Sequence, residues 1–227
     1  MQYLWLCLLC LVLAVIFIAV EKAERYVEAD AIKGLASLCF VALGWLGSRG
    51  LIGAEDPAYV GLILVGLVIG AVADVVLNLR YVFEGEKGKI AFLAGILVFL
   101  AGHVAYLLAV ARHCNALPVL VGIGLVLTGA LMVWIFQRIE ASIAFKVFGV
   151  FYIGAITIMN CVALGALISH PSAHAAMFLV GALLFLVSDI ILILNTFGPE
   201  KRFSWRVANL MIYYVGQLLI ALSLQLL

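Results

Sequence analysis

Eight runs of roughly 20 mostly apolar residues follow one another along this chain with only short connections between them, and each is long enough to cross a bilayer as a helix. They lie near residues 3–20, 31–47, 58–80, 89–111, 117–136, 146–168, 174–195 and 204–226. Nothing between them is long enough for a separate soluble domain, so residues 1–227 read as a single transmembrane domain. The composition agrees: 67% of the residues are hydrophobic and 11% charged, where a soluble domain carries about 45–50% and about 25%. No globule of 227 residues could hide that much apolar surface from water. The expected fold is therefore all-α, a polytopic bundle of eight membrane helices. A soluble enzyme and a disordered chain are excluded, and a net charge of +1 leaves no basic excess for nucleic acid.

No Lys or Arg precedes the first run, Tyr3 to Val20, which reads as a membrane helix and not a signal peptide. Cys7, Cys10, Cys39 and Cys161 fall within apolar runs and Cys114 at the edge of one, the pattern of small apolar residues and not of a disulfide framework. The 13 basic residues are unevenly placed. Eleven follow spans one, three, five and seven: Lys22, Arg25, Lys33, Arg80, Lys87, Lys89, Arg138, Lys146, Lys201, Arg202 and Arg206. Only Arg49 and Arg112 fall on the other side. Basic connections stay in the cytoplasm, so these connections are expected there, with both termini opposite. A bacterial inner membrane fits the compact size.

A repeat is visible at a nearly constant offset. Asp74-Val-Val-Leu recurs as Asp189-Ile-Ile-Leu 115 residues on, Gly102-His103 as Gly216-Gln217 at 114, and Arg25 with Lys33 as Arg138 with Lys146 at 113. The pattern suggests two parallel four-helix halves.

Of the twelve acids, ten read as loop residues: Glu21, Glu24, Glu28, Asp30, Glu55, Asp56, Glu84, Glu86, Glu140 and Glu200. Asp74 and Asp189 fall inside spans three and seven. A carboxylate at a helix centre costs roughly 2.5–3.5 kcal/mol on insertion scales, which makes it a candidate functional group. Both are expected about nine to ten residues from the basic connections, roughly 12–15 Å deep at 1.5 Å per residue. Gly66, Gly70, Asp74 and Asn78 form a stripe on span three, small and then polar, that allows close helix approach. Asn209, Tyr213 and Gln217 form another on span eight; His103 and Tyr106 lie on span four, Tyr152 and Asn160 on span six. Together they point to a polar cavity inside the bundle. His170 and His174 have a helical metal-ligand spacing, but Pro171 interrupts them and no acid is near. No metal is expected there and no cofactor is implied. Lys33 reads either as a snorkelling side chain or as a phosphate contact at the cavity mouth.

Burial and a like-charged neighbour both disfavour an ionised carboxylate, so one of a close pair can hold a proton at neutral pH while the other is charged. One acid and one base in a single site suit hydrolysis of an acid-labile bond in a lipid. The residues alone carry the argument no further. The stretch Gly181 to Asp189 with Ser188 before the acid, continuing to Asn195 and Phe197, resembles the lysoplasmalogenase family, the YhhN-like membrane proteins. So do Ala73-Asp74-Val-Val-Leu77, Gly102-His103 to Tyr106, and Tyr213-Tyr214 to Gln217, in the family's order and over essentially the whole chain. The family commonly carries Gly before its first Asp and Lys-Pro entering span two, where this chain has Ala73 and Lys33-Gly34.

The resemblance implies hydrolysis of the vinyl-ether bond of lysoplasmalogens to a fatty aldehyde and glycerophosphoethanolamine or glycerophosphocholine. Asp74 and Asp189 would be the catalytic pair, with their roles open. His103, Tyr106, Asn78, Asn160, Tyr213 and Gln217 would orient water and the glycerol hydroxyl, and Lys33, with Arg80, would meet the phosphate. The partners are then a lysophospholipid substrate and the bilayer. The rival reading is a proton-coupled carrier of small molecules or lipids, which also uses intramembrane acids and repeats.

Overall fold

In a computed structural model, which describes residues 3–48 and 56–227, the chain forms eight long helices, and among those residues there is no strand. They are α1 (Leu4–Lys22), α2 (Tyr26–Ser48), α3 (Pro57–Asn78), α4 (Gly85–Ala111), α5 (Leu117–Phe136), α6 (Ile143–Ser169), α7 (Ala173–Phe197) and α8 (Phe203–Ser223). All eight are long and apolar enough to cross a membrane, and the chain is a multi-pass membrane protein. Helices are what such a sequence must form, because lipid offers no partner for backbone N–H and C=O groups. Arg49 and Glu55, used above in reading the charge pattern, lie outside the described residues.

Helix ends follow local chemistry. The Asp56 carboxylate caps α3, accepting from the Tyr59 N–H at 3.1 Å, with Pro57 in the first turn. Ser172 caps α7 in the same way, and Pro171 before it separates α6 from α7. Two boundaries depart from the hydropathy reading. α2 begins at Tyr26, five residues before the expected 31, because Glu28, Asp30 and Lys33 belong to the helix itself. α3 ends at Asn78 and continues as a 3-10 turn, Leu79–Tyr81. Asp74 is thus seven residues from the end of its span, and Asp189 eight from the end of α7. Both lie about 10–12 Å in at 1.5 Å per residue, slightly shallower than expected.

The packing repeats. α1 pairs with α2 as α5 does with α6, and α3 with α4 as α7 does with α8; the halves meet where α4 packs on α6 and α2 on α8. The close crossing of α7 and α8 rests on glycines: a Cβ at Gly181 would lie 2.7 Å from the Gly216 carbonyl oxygen, and one at Gly216 2.8 Å from that of Gly181. In the first half Gly102 stands against Gly66 in the same way, with 3.5 Å to its carbonyl oxygen. Gly66 and Gly181 are 115 residues apart, so the repeat read from sequence is also a repeat of contacts. α8 is the most enclosed helix, touching α1, α2, α3 and α7, whereas α5 presents Val119, Leu125, Val126 and Val133 outward. The connections after α1, α3, α5 and α7 share one end of the bundle, called here the basic end.

Candidate active site

α2 places Lys33 and Ser37 one turn apart on its buried face, opposite Asp74 of α3. Ser37 Oγ and Tyr213 Oη, from α8, each donate to Asp74 Oδ2 at 2.6 Å. Lys33 Nζ lies 3.1 Å from Oδ1 and donates to the Asp74 carbonyl oxygen at the same distance. Lys33 is 2% exposed and Asp74 1%, so this is a fully enclosed ion pair. A chain of donors leads away from it: Tyr106 Oη donates to Gln217 Oε1 at 3.0 Å, and Gln217 Nε2 to Tyr213 Oη at 3.4 Å. The small positions of α3 make the room. A Cβ at Gly70 would lie 2.9 Å from Gln217 Nε2, and one at Gly66 would strike the Tyr106 ring.

Asp189 of α7 is set differently. Tyr152 Oη, from α6, donates to its Oδ2 at 2.6 Å, and none of the ion pairs among the described residues involves it. The preceding Ser188 accepts from Asn209 Nδ2 at its carbonyl, 2.8 Å, and its hydroxyl, 2.9 Å. One aromatic cluster joins the two Asp–Tyr pairs. The Phe185 ring is 5.0 Å from Tyr213 and 4.6 Å from His103, and His103 is 5.5 Å from Tyr152. His103 Nδ1 sits 2.7 Å from the Phe99 carbonyl oxygen, which can only accept. The proton is therefore on Nδ1, and Nε2 is left as a buried acceptor with no partner in the structure.

Above the two acids a cavity of about 710 Å³ opens at the basic end. Lys22, Arg80, Lys89, Lys201, Arg202 and Arg206 line it, against Glu21 and Glu24. Arg206 and Asn209 reach from its wall toward the acids. Arg206 makes a two-point pair with Glu21, at 3.0 and 2.7 Å, and its Nη2 donates to Asn78 Oδ1 at 3.3 Å, one turn from Asp74. Asn209 holds Ser188 beside Asp189. The Arg80 guanidinium lies between the rings of Tyr81 and Phe92, 4.7 and 4.4 Å from their centroids, with Nη1 buried and unpartnered. A cationic vestibule above two buried carboxyls can seat an anionic headgroup and present the rest of the molecule to an acid and a base.

The sequence profile of the YhhN family matches residues 28–224, nearly the whole chain. The chain belongs to the YhhN family. No solved structure matches it.

In this YhhN-family chain the fold gathers Lys33, Asp74, Asn78, His103, Tyr106, Asp189, Tyr213 and Gln217 in one interior region, as their shared helix faces predict. Two expected residues take other places. Asn160 donates to the Ile156 and Ala182 carbonyls, at 2.9 and 3.2 Å, tying α6 to α7. Lys33 is drawn onto Asp74 instead of the cavity mouth, because its stem is enclosed and that carboxylate is its ion-pair partner. Arg80 and Arg206 line the vestibule instead.

Two acids read as loop residues, Glu21 and Asp30, are buried on α1 and α2. Hydropathy misses them because each sits next to a helix end whose apolar run starts or stops nearby. The sequence does not mark Ser37, and it assigns no partner to Glu21, Tyr152 or Arg206. The repeat carries a signal for two of these: the 115-residue step from Asp74 to Asp189 also takes Ser37 to Tyr152. By the same step Lys33 corresponds to Phe148. Lys146, matched to Lys33 by the 113 offset, instead lies 5.7 Å over the Phe136 ring, so the register of α2 on α6 is 115. His170 and His174 lie at the far end with His113, grouped about Tyr59 and away from both carboxyls.

Proposed function

We propose that this chain is a membrane-embedded lysoplasmalogenase that adds water across the vinyl-ether bond of a single-chain phospholipid. The observation that carries the reading is the unequal setting of two buried carboxyls beneath a cationic vestibule: Asp74 faces an ammonium and two hydroxyl donors, and Asp189 faces a single hydroxyl. Family membership is consistent with it. Asp74, balanced by Lys33, carries the negative charge. Asp189, with no cation to balance it, holds the proton.

A vinyl ether is hydrolysed by protonation of the alkene carbon remote from oxygen. In this reading Asp189 delivers that proton, and the resulting oxocarbenium ion is stabilised by the Asp74 charge. Water then adds to the cationic carbon and gives a proton to the Asp189 carboxylate, which restores the acid. The hemiacetal collapses to a fatty aldehyde and the free glycerol hydroxyl, so one water is consumed. His103 Nε2 and Asn160 Oδ1, acceptors without a partner, and Asn78 Nδ2, a donor without one, are among the buried polar atoms that can orient water and glycerol. Arg80 and Arg206 meet the phosphate, and the basic end faces the cytoplasm of a bacterial inner membrane.

The test is aldehyde release by purified, detergent-solubilised protein given a lysoplasmalogen, with the ester-linked lysophospholipid as control. Asp74→Asn and Asp189→Asn should each lose at least ~100-fold in rate, the usual worth of a general acid or base. Full activity in the double variant would remove the mechanism. Substrate uptake into sealed vesicles with no aldehyde formed would make the carrier the better reading.

A further inference from the structure

Two carboxylates line the vestibule, and they are set differently. Glu21 is fully engaged in its two-point pair with Arg206. Glu24 lines the same space and belongs to none of the ion pairs among the described residues. Its neighbour Arg25 is taken by Glu28 at 3.1 Å, and Lys22 lies over the Phe203 ring. The backbone at Glu24 is unusual as well. Where α1 ends, the Glu24 N–H donates to the Glu21 carbonyl at 3.0 Å and the Arg25 N–H to the Val20 carbonyl at 3.3 Å. In this closing pattern the residue at the position of Glu24 is left-handed and usually glycine. Glu24 has φ 60°, the one positive value of a non-glycine residue among those described. A Cβ is unfavourable in that region, so the turn places a carboxylate where glycine would fold more easily.

A stacked ring pair decides what stands beside it. Tyr26, just after Glu24, stacks on Tyr81 with centroids 5.7 Å apart, and Tyr81 accepts from Arg80 Nη2 at 2.9 Å. The turn after α1 and the turn after α3 are thereby tied together. An unpaired carboxylate then shares the vestibule wall with a guanidinium whose Nη1 has no partner. One negative and one positive group on adjoining turns match a zwitterion.

We propose that Glu24 binds the ammonium of a phosphoethanolamine headgroup whose phosphate lies on Arg80, so that the vestibule prefers ethanolamine lysolipids to choline ones. The inference rests on the lysoplasmalogenase reading for the remainder of the ligand. The cavity, about 710 Å³, falls within the range of small-molecule sites and has room for the headgroup. A primary ammonium gives a carboxylate charge-assisted N–H bonds. A quaternary one has no N–H and depends on open aromatic faces. Here the Tyr81 ring already faces Tyr26, Arg80 at 4.7 Å and Arg206 at 5.5 Å, and Phe203 faces Lys22 at 5.2 Å. The choline nitrogen therefore gains less at this wall.

The test uses three vinyl-ether lysolipids that differ only in headgroup: phosphoethanolamine, phosphocholine and phosphoglycerol. The wild type should show its highest kcat/KM on the first. Glu24→Gln and Glu24→Gly should each lower the ratio of ethanolamine to glycerol kcat/KM by about 10-fold, the lower end for a hydrogen bond to a charged group. The loss should sit in KM and not in kcat, because the headgroup contact is the same before and during the reaction. Glu24→Gly should also raise the Tm in detergent, since glycine relaxes the left-handed turn; a residue serving the turn alone would not lose selectivity as the fold gained stability. Saturated hexadecyl ether lysolipids with the same headgroups cannot be hydrolysed. The ethanolamine one should raise the wild-type Tm most, and Glu24→Gly should remove that lead. A wild type that ranks choline or glycerol first, or a folded Glu24→Gly that keeps the ethanolamine preference, overturns the subsite. A wild type that releases no aldehyde from any of the three overturns the lysoplasmalogenase reading instead, and the Tm ranking then decides the subsite alone.

Discussion

At the scale of the residue, the pair Lys33–Asp74 shows how two buried charges are tolerated in an apolar bundle. Each is costly alone, and at 3.1 Å with two further hydroxyl donors they satisfy one another. Removing one partner leaves the other charged and enclosed, which typically costs 3–5 kcal/mol. Lys33→Met should therefore lower the Tm in detergent sharply, and Lys33→Met combined with Asp74→Asn should recover most of the loss. Equal destabilisation by the single and double variants would mean that the ion pair is not the source of the cost. The same comparison bears on function, because nothing equivalent to Lys33 faces Asp189: the repeat puts Phe148 there. Two acids that look alike in sequence thereby acquire different environments. Their presence in membrane spans was legible from charge and hydropathy alone, but their partners were not, since Lys33 and Tyr213 are 41 and 139 residues from Asp74.

At the scale of the element, glycine decides how closely helices approach. Gly181→Ala would bring a Cβ to 2.7 Å from the Gly216 carbonyl oxygen and force α7 from α8. Overpacking of this kind costs about 1–3 kcal/mol, and because Ser188 and Asn209 lie on the same two helices, aldehyde release should fall with the Tm. An unchanged Tm would show that the crossing has slack. At the opposite end of the bundle, Asp56 links the start of α3 to the segment after α4. The Arg112 guanidinium, donating to Oδ2 at 2.7 Å, holds this carboxyl below the usual carboxylate range. A depressed value means stability that is present above the ordinary Asp value, near about 3.9, and is lost as pH falls through the lower folded value. The Tm of the wild type should thus decline more steeply than that of Asp56→Asn below about pH 4. The pair is partly exposed, so high salt should weaken the difference. Superimposable pH profiles would remove Asp56 from the acid response.

At the scale of the molecule, two similar halves meet about a shared interior, and the vestibule belongs to both. Its walls draw on α1, the start of α2, the turn after α3 and α4 from the first half and on α6, α7 and α8 from the second. Neither half holds the site alone: Asp74 of the first takes Tyr213 from the second, while Asp189 and Tyr152 both come from the second and meet the first through His103. The orientation proposed above has its own check. A protease-sensitive tag placed in the α5–α6 connection near Glu140 should be protected in sealed cells, and one appended after Leu227 should be cleaved from outside. The reverse pattern would put the vestibule on the outer face and change which leaflet supplies the lipid.

Hydropathy alone determined that this chain is an eight-helix membrane bundle, because lipid leaves the backbone no alternative to helices of about this length. It also marked Asp74 and Asp189, because charge inside an apolar run is rare enough to be conspicuous. The repeat was readable for the same reason, its polar and glycine positions standing out from an apolar background. Pairing belongs to the tertiary structure. Which acid meets Lys33 and that Glu21 binds Arg206 185 residues away are matters of distance between helices remote in sequence. A one-dimensional pattern records which face of a helix is polar, but the side chain waiting across from that face is set only when the helices pack.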